Sequence, residues 1–316
     1  MRVGYACICL GGADLRCQRS TVLKHATPER LRGLIQANLE GLAAILRYNE
    51  ERGWRLFRIG NDFVPFASHP VNEIRWWSEY RRQFREVGRY ARDHGHRLSF
   101  HASHYTILNS ASDRVRRSAL ADVEYMGRVL EAMELDAEHK IILHVGINTP
   151  TVAQAGERFV QAVGEVACEH RRHLVLENDD RLWPTEPALE LCRRVGLPMV
   201  LDIFHHAVFP GAWSEVGCAE LLDRAFSTWG TADGPPKIHF STQDPAKRPG
   251  AHDYGVDRHE LERFLGQARA MPRDFDIMFE CKGKDLALEP VMDLLRSDPR
   301  FDSGPSARVP RLALAG

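Results

Sequence analysis

Eight short apolar runs, each followed by a stretch of helical period, predict an α/β chain folded as one single-domain (β/α)8 TIM barrel. Two further observations agree. Parallel strands need crossovers between neighbours, and the helical stretches supply them. At 316 residues the chain suits one such barrel and can bury a large core. A doubly wound open sheet, built from the same units, is the alternative architecture. The barrel is assigned to residues 1–296 and a loosely ordered C-terminal tail to residues 297–316.

The elements follow in order. The first strand candidate is VGYACI, from Val3. Thr27 then reads as a helix N-cap, with Pro28 at the first helical position. Leu31, Leu34, Ile35, Leu39, Leu42, Ile45 and Leu46 recur at three- and four-residue spacing, which predicts a helix over Glu29–Arg52. RLFRIG from Arg55 and RLSFHA from Arg97 are the second and third strands. Between them, RRQFR (Arg81 to Arg85) reads as a solvated helix face, and Trp76 and Trp77 as helix-packing residues. A helix over Ser112–Met133, with Arg114, Arg116 and Arg117 in solvent, leads to KIILHVG from Lys140. HLVLEND from His173, PMVLDIF from Pro198, PKIHFST from Pro236 and FDIMFEC from Phe275 complete the set.

Composition narrows the class. With 44% hydrophobic and 27% charged residues, the chain is neither disordered nor fibrous. A formal charge of -1 lends no general support to nucleic-acid binding and leaves room for a local basic groove. No run of 18 apolar residues predicts a membrane span, and the short apolar N-terminus lacks a cleavage site. Seven scattered cysteines suit a reducing cytoplasm; Cys7 and Cys9 read as buried thiols rather than zinc ligands.

The strand ends carry the chemistry. Strand three ends in His101, strand four in His144, strand five in Glu177 and strand six in Asp202, with His205 three residues on. Strand seven carries Lys237 and His239, strand eight Glu280, and His252 lies in the loop after strand seven. Active sites of parallel barrels lie at these carboxyl ends. Residues two apart share a face of a strand. Val175 pairs with Glu177 in this way, Val200 with Asp202, Lys237 with His239, and Met278 with Glu280. The core-facing row thus ends in polar groups. Burying them unpaired would be costly, divalent cations remove that cost, and histidine with carboxylate suits Mn, Fe or Zn. For any one of these histidines, a bond to a backbone carbonyl is the ordinary reading. The set as a whole predicts a metal centre with more than one ion. The loop QDPAKRPGAHDY (Gln243 to Tyr254), with Lys247 and Arg248, is placed to hold a phosphate backbone; a solvated surface loop is the plainer reading.

These residues resemble the UV damage endonucleases from about Arg2 to Lys284. The likeness rests on RVGYAC, PFASHP (Pro65 to Pro70), LHVG (Leu143 to Gly146), LENDD (Leu176 to Asp180) and VLDIFHH (Val200 to His206). It continues through KIHFSTQDPAKRPGAH (Lys237 to His252) and FECKGK (Phe279 to Lys284). The resemblance implies a DNA-repair endonuclease that cleaves 5′ to UV photoproducts and leaves a 3′ hydroxyl and a 5′ phosphate. It implies two or three divalent ions, usually manganese, held by His101, His144, Glu177, Asp202, His205, His239, His252 and Glu280, with no organic cofactor. Glu177, Lys237 and Glu280 would be catalytic, and Lys237 matches a family lysine that can be carboxylated. Tyr5 and Cys9 would line the lesion pocket, and His104 and Tyr105 would enter the duplex. His69, Gln243, Lys247 and Arg248 would touch the strand. His104 stands where the family usually has Gln, and Cys9 where it often has Asn. The implied partner is UV-damaged double-stranded DNA, met by a monomer in the cytoplasm at the nucleoid. Rival readings are a sugar isomerase or epimerase, a multinuclear iron oxidase, or a non-catalytic binder of damaged DNA.

Overall fold

Each apolar run becomes a parallel strand: β1 (Val3–Ala6), β2 (Leu56–Ile59), β3 (Arg97–His101), β4 (Lys140–His144), β5 (Leu174–Glu177), β6 (Met199–Asp202), β7 (Lys237–Phe240) and β8 (Asp276–Phe279). In the computed structural model, which describes residues 1–209 and 217–302, they close in sequence order. β1 pairs with both β2 and β8, so the sheet has no edge and the fold is a TIM barrel.

Helices fill every crossover. α1 (Pro28–Arg52) follows β1; α2 (Trp76–Glu79) and α3 (Arg81–Asp93) follow β2; α4 (Asp113–Ala132) follows β3. α5 (Val152–Glu165) and α6 (Cys168–Arg171) follow β4, α7 (Thr185–Val195) follows β5, and α8 (Ile203–Val208) and α9 (Cys218–Phe226) follow β6. α10 (Arg258–Ala268) follows β7, and α11 (Lys284–Leu288) and α12 (Met292–Ser297) follow β8. α1 begins as its sequence predicts. The Thr27 hydroxyl accepts from the Arg30 amide at 3.3 Å, and Pro28 occupies the first turn. It stops at Gly53, whose φ of 75° the missing Cβ permits.

Strand parity sorts the side chains into two layers. Outward residues such as Val3, Tyr5, Phe57, Phe100, Leu143 and Leu176 join the helices in the main core. Inward residues Ile142, Val175 and Val200 pack on Trp229, and Ala6, Leu56 and Met278 pack together. Beneath this plug lies a buried charged floor. Arg97 donates to Asp276 at 2.9 Å and to the carbonyls of Glu138, Pro235 and Asp233, while Lys140 meets Asp233 at 2.5 Å. Above it lies the mouth. Apolar side chains thus lie between two polar layers.

Of the tail expected from residue 297, residues 303–316 lie outside the described residues. Arg300 ties the preceding stretch down through Asp298 and the Ala268 carbonyl, and the Asp302 amide donates to the Met1 carbonyl at 2.9 Å. No helix among the described residues is long and apolar enough to cross a membrane. Every cysteine is free.

Candidate metal centre

Glu177 is the hub of the mouth. It ends β5 on the inward parity, fully buried, and both of its oxygens face imidazoles. Oε2 lies 2.7 Å from His101 Nε2 and 3.6 Å from His144 Nε2. Oε1 lies 2.7 Å from His239 Nδ1 and 3.6 Å from His205 Nδ1. His239 Nδ1 is also 3.0 Å from Glu280 and 3.9 Å from Asp202. Two groups capable of holding an ion result: His101, His144 and Glu177 in one, and Glu177, Asp202, His239 and Glu280 in the other. Within each, the ligand atoms lie within 4.8 Å of one another, and Glu177 belongs to both.

The electrostatics follow from this crowding. Burial alone would raise the Glu177 carboxyl, but His239, His144 and His101 hold it well below the usual range. Burial likewise works against ionised Glu280, and Arg58 with His239 overrides it. Asp202 has no such rescue. Burial, reinforced by Glu177 and Glu280 against the pull of His205, raises it to about 7. Burial disfavours charge on His205, yet Asp202, Glu177 and Glu280 lift it to about 10. His144 is driven by burial down to about 4. In the absence of cations these groups hold one another in opposed, costly protonation states.

Divalent ions fit this donor set. The Ala102 carbonyl only accepts, so His101 Nδ1, 2.8 Å away, carries the proton. Its other nitrogen, Nε2, faces Glu177 Oε2 at 2.7 Å. A metal ion can replace the proton in such a contact. A ligand histidine whose other nitrogen binds a backbone carbonyl is the usual metal-site arrangement. His205 repeats it through the Asn178 carbonyl, 3.0 Å from Nδ1. Asp202 Oδ2 and His144 Nδ1 are buried without a hydrogen-bond partner.

The remaining predicted residues divide. His252 is half-buried beside the cluster, its ring 6.1 Å from that of His205, and it belongs to neither of the two groups. Lys237 is fully buried in β7, one inward position below His239, and its Nζ has no partner. His104 and Arg248 line a groove of about 600 Å³ that reaches His144 and His205, and Asp179, Asp180 and Arg181 also line it. Tyr105 stands beside His104 with 80% of its surface exposed. Lys247 is exposed and pairs with Asp244 at 2.8 Å.

The other four predicted residues make local contacts. Tyr5 has outward parity, and its hydroxyl donates to Asn49 Oδ1 at 2.8 Å inside the outer core. The Cys9 thiol is buried and donates to Asp285 at 3.4 Å. His69 accepts from the Val71 amide at its own turn. The Gln243 side chain is consumed inside its loop, donating to the Asp244 and Arg248 carbonyls and accepting from the Gly250 amide.

Sequence reasoning missed two residues. Arg58, one residue before the end of β2, has the inward parity of Leu56, lies 3.0 Å from His239 Nε2, and pairs with Glu280. The same alternation that found Glu177 points to it; an arginine in an apolar run draws no attention when only ligand types are sought. Asn178 clamps Asp202, accepting from its amide at 2.9 Å and donating to its carbonyl at 3.0 Å.

A closed eightfold parallel barrel, its mouth lined with imidazoles and carboxylates around a shared glutamate, defines a TIM-barrel protein fitted to bind divalent metal. The chain belongs to the UV-endonuclease UvdE family, whose profile matches residues 1–303. The UV DNA damage endonuclease of Bacillus cereus (strain G9842) is 31% identical over 272 residues, covering 86% of this chain and 85% of that protein. That of Clostridium perfringens (strain 13 / Type A) is 28% identical over 288 residues, 91% of this chain and 69% of its own. The crystal structure of SacUVDE superposes with a TM-score of 0.84 at 27% identity, over 93% of this chain and 99% of that one. Endonuclease IV from Thermus thermophilus, with a TM-score of 0.56 and 15% identity over 94% of this chain and 98% of its own, shares the fold.

Proposed function

We propose that this protein is a metal-dependent repair endonuclease that hydrolyses the phosphodiester 5′ to UV photoproducts in double-stranded DNA. The observation that carries the reading is Glu177 shared between two ligand groups at the barrel mouth. His101, His144 and Glu177 would hold one ion; Glu177, Asp202, His239 and Glu280 would hold a second; His205 and His252 would complete a third. Bound divalent ions, manganese in our reading, would supply a nucleophile at neutral pH and charge stabilisation at the phosphate.

The chain's own residues do the rest. Asn178 fixes Asp202, and the carbonyls of Ala102 and Asn178 orient His101 and His205. Arg248 on the groove and Lys247 on the loop would attract the backbone of the bound strand. Tyr105, exposed at the rim, and His104 would fill the gap left by an extruded lesion; photoproducts stack poorly, so their extrusion costs less. Lys237 would serve the cluster from below. Burial and the nearby Arg97 favour its neutral amine, the form that takes up carbon dioxide, and the resulting carbamate would add an anionic ligand.

The test is incision of irradiated and unirradiated plasmid by chelator-stripped protein with and without added manganese. Nicks confined to irradiated DNA and to added metal are expected. Equal nicking of both plasmids would sink the lesion assignment, and nicking that survives stripping would sink the metal assignment.

A further inference from the structure

The outer face of α3 carries charge that the fold does not use. Phe84, Val87 and Ala91 are buried in the core, while Arg81, Arg82, Arg85, Arg89 and Arg92 are exposed. Arg81, Arg85 and Arg89 follow at four-residue steps, which stacks them on one side of the helix about 6 Å apart. All five arginines line a groove of about 700 Å³, which Glu134, just past α4, also lines.

The acids of this groove are already engaged. Glu79 pairs with Arg32 at 2.6 Å, Glu134 with Arg85 at 2.7 Å and Glu86 with Arg82 at 3.7 Å. Arg92 donates only to the carbonyls of Met133 and Glu134, which leaves its charge uncompensated. Arg81 and Arg89 meet no carboxylate among the described residues. Arg81, Arg89 and Arg92 thus form a local cationic surplus on a chain whose formal charge is -1.

The lining selects the kind of partner. Besides arginines and glutamates the groove holds only Ser78, so it offers no ring on which the bases of a single strand could stack. A row of guanidinium forks suits phosphate oxygens, and contacts to phosphate position a duplex without reading its sequence. α3 returns from the mouth, where Ile59 ends β2, to the floor, where Arg97 opens β3. The row therefore starts at the mouth end with Arg81 and runs about 16 Å down the outside of the barrel to Arg92. It shares no residue with the ligand groups or with the groove of Arg248.

We propose that the arginine row of α3 is a second duplex-binding surface, outside the mouth, which holds the backbone of undamaged DNA. The choice of DNA as occupant rests on the function proposed above. Such a hold is electrostatic and indifferent to sequence, so it lets the protein travel along a duplex between lesions.

The experiment is a fluorescence titration of a labelled, undamaged duplex with the full chain across a salt series. Losing two phosphate contacts in Arg81→Ala/Arg89→Ala should lower the slope of log affinity against log salt by about two and weaken binding about ten-fold at low salt. Arg81→Lys/Arg89→Lys keeps both charges and should keep most of the slope. Arg193→Ala/Arg263→Ala removes the same charge from exposed positions of α7 and α10 and should leave the slope near that of wild type. An unchanged slope in the α3 alanine pair would overturn the proposal, and so would an equal fall in both alanine pairs, which would mean net charge alone. An α3 alanine pair that loses binding of polyglutamate and keeps that of the duplex would give the row to an acidic protein and also overturn it. Nicking of irradiated plasmid is a separate readout. A slope difference without nicking keeps this surface and sinks the proposed function; nicking without a slope difference does the reverse.

Discussion

Glu177 shows what one residue can carry at this mouth. Both of its oxygens are engaged by imidazoles, and it belongs to both ligand groups. Glu177→Gln keeps the volume and replaces one anionic oxygen by a donor. We expect incision to fall by at least about a hundred-fold, a loss typical when a charge-stabilising group is removed. Manganese stoichiometry, measured by calorimetry, should fall with it, and an active variant would contradict the shared role. Arg248 is different in kind: exposed, on the groove and in neither ligand group. Arg248→Ala should leave metal binding unchanged and lower the salt slope of DNA affinity by about one, as the loss of one phosphate contact does. An unchanged slope across a salt series would remove Arg248 from the interface. Parity made Glu177, Asp202, His239 and Glu280 legible in the sequence. Tyr5 shows the limit of motif likeness, because its odd register turns the ring outward to Asn49.

Among the elements, the strands were legible because apolar runs and helical periods alternate eight times, and the loops were not. Nothing in the residues between Gln243 and Tyr254 announces that Gln243 spends its amide holding the loop in shape. The short helices α2, α6 and α8 have too few residues to display a period. The turn after β4 is a case where a single glycine decides an element's exit. Gly146 sits at φ 102°, and a Cβ there would lie 2.6 Å from Asn109 Oδ1. Asn109 in turn accepts from the Ile147 amide at 3.0 Å and donates to its carbonyl at 2.6 Å. Gly146→Ala should cost about 1–3 kcal/mol, the usual penalty for a strained backbone position. Because His144 lies two residues upstream, manganese affinity should fall as well. Urea unfolding at matched metal content checks the first expectation, and a stability equal to wild type would show that Asn109 yields.

On the scale of the whole molecule, the barrel keeps its candidate ligands at one end and a row of buried histidines at the other. His96, His139 and His173 each precede a strand at the charged floor. Burial lowers all three; Arg55 adds to it at His96 against Glu50, Arg97 adds at His139, and His173 is brought to about 4. A histidine whose folded-state pKa is depressed binds fewer protons folded than unfolded. Its contribution is complete above about pH 6.5 and is lost as pH falls toward the folded value. The floor histidines should therefore take stability from metal-stripped protein as pH falls from about 6.5 to about 4, read as a smaller acid loss in His173→Gln than in wild type by urea unfolding across that window. Constant stability there would contradict the neutral floor. The central claim concerns the opposite end, where imidazoles and acids converge because cations belong among them. Its most direct measurement is manganese-dependent nicking of irradiated plasmid by stripped protein. The account predicts closed circles without metal and incision at photoproducts once manganese returns. Full activity after exhaustive stripping, or cutting blind to irradiation, would contradict it.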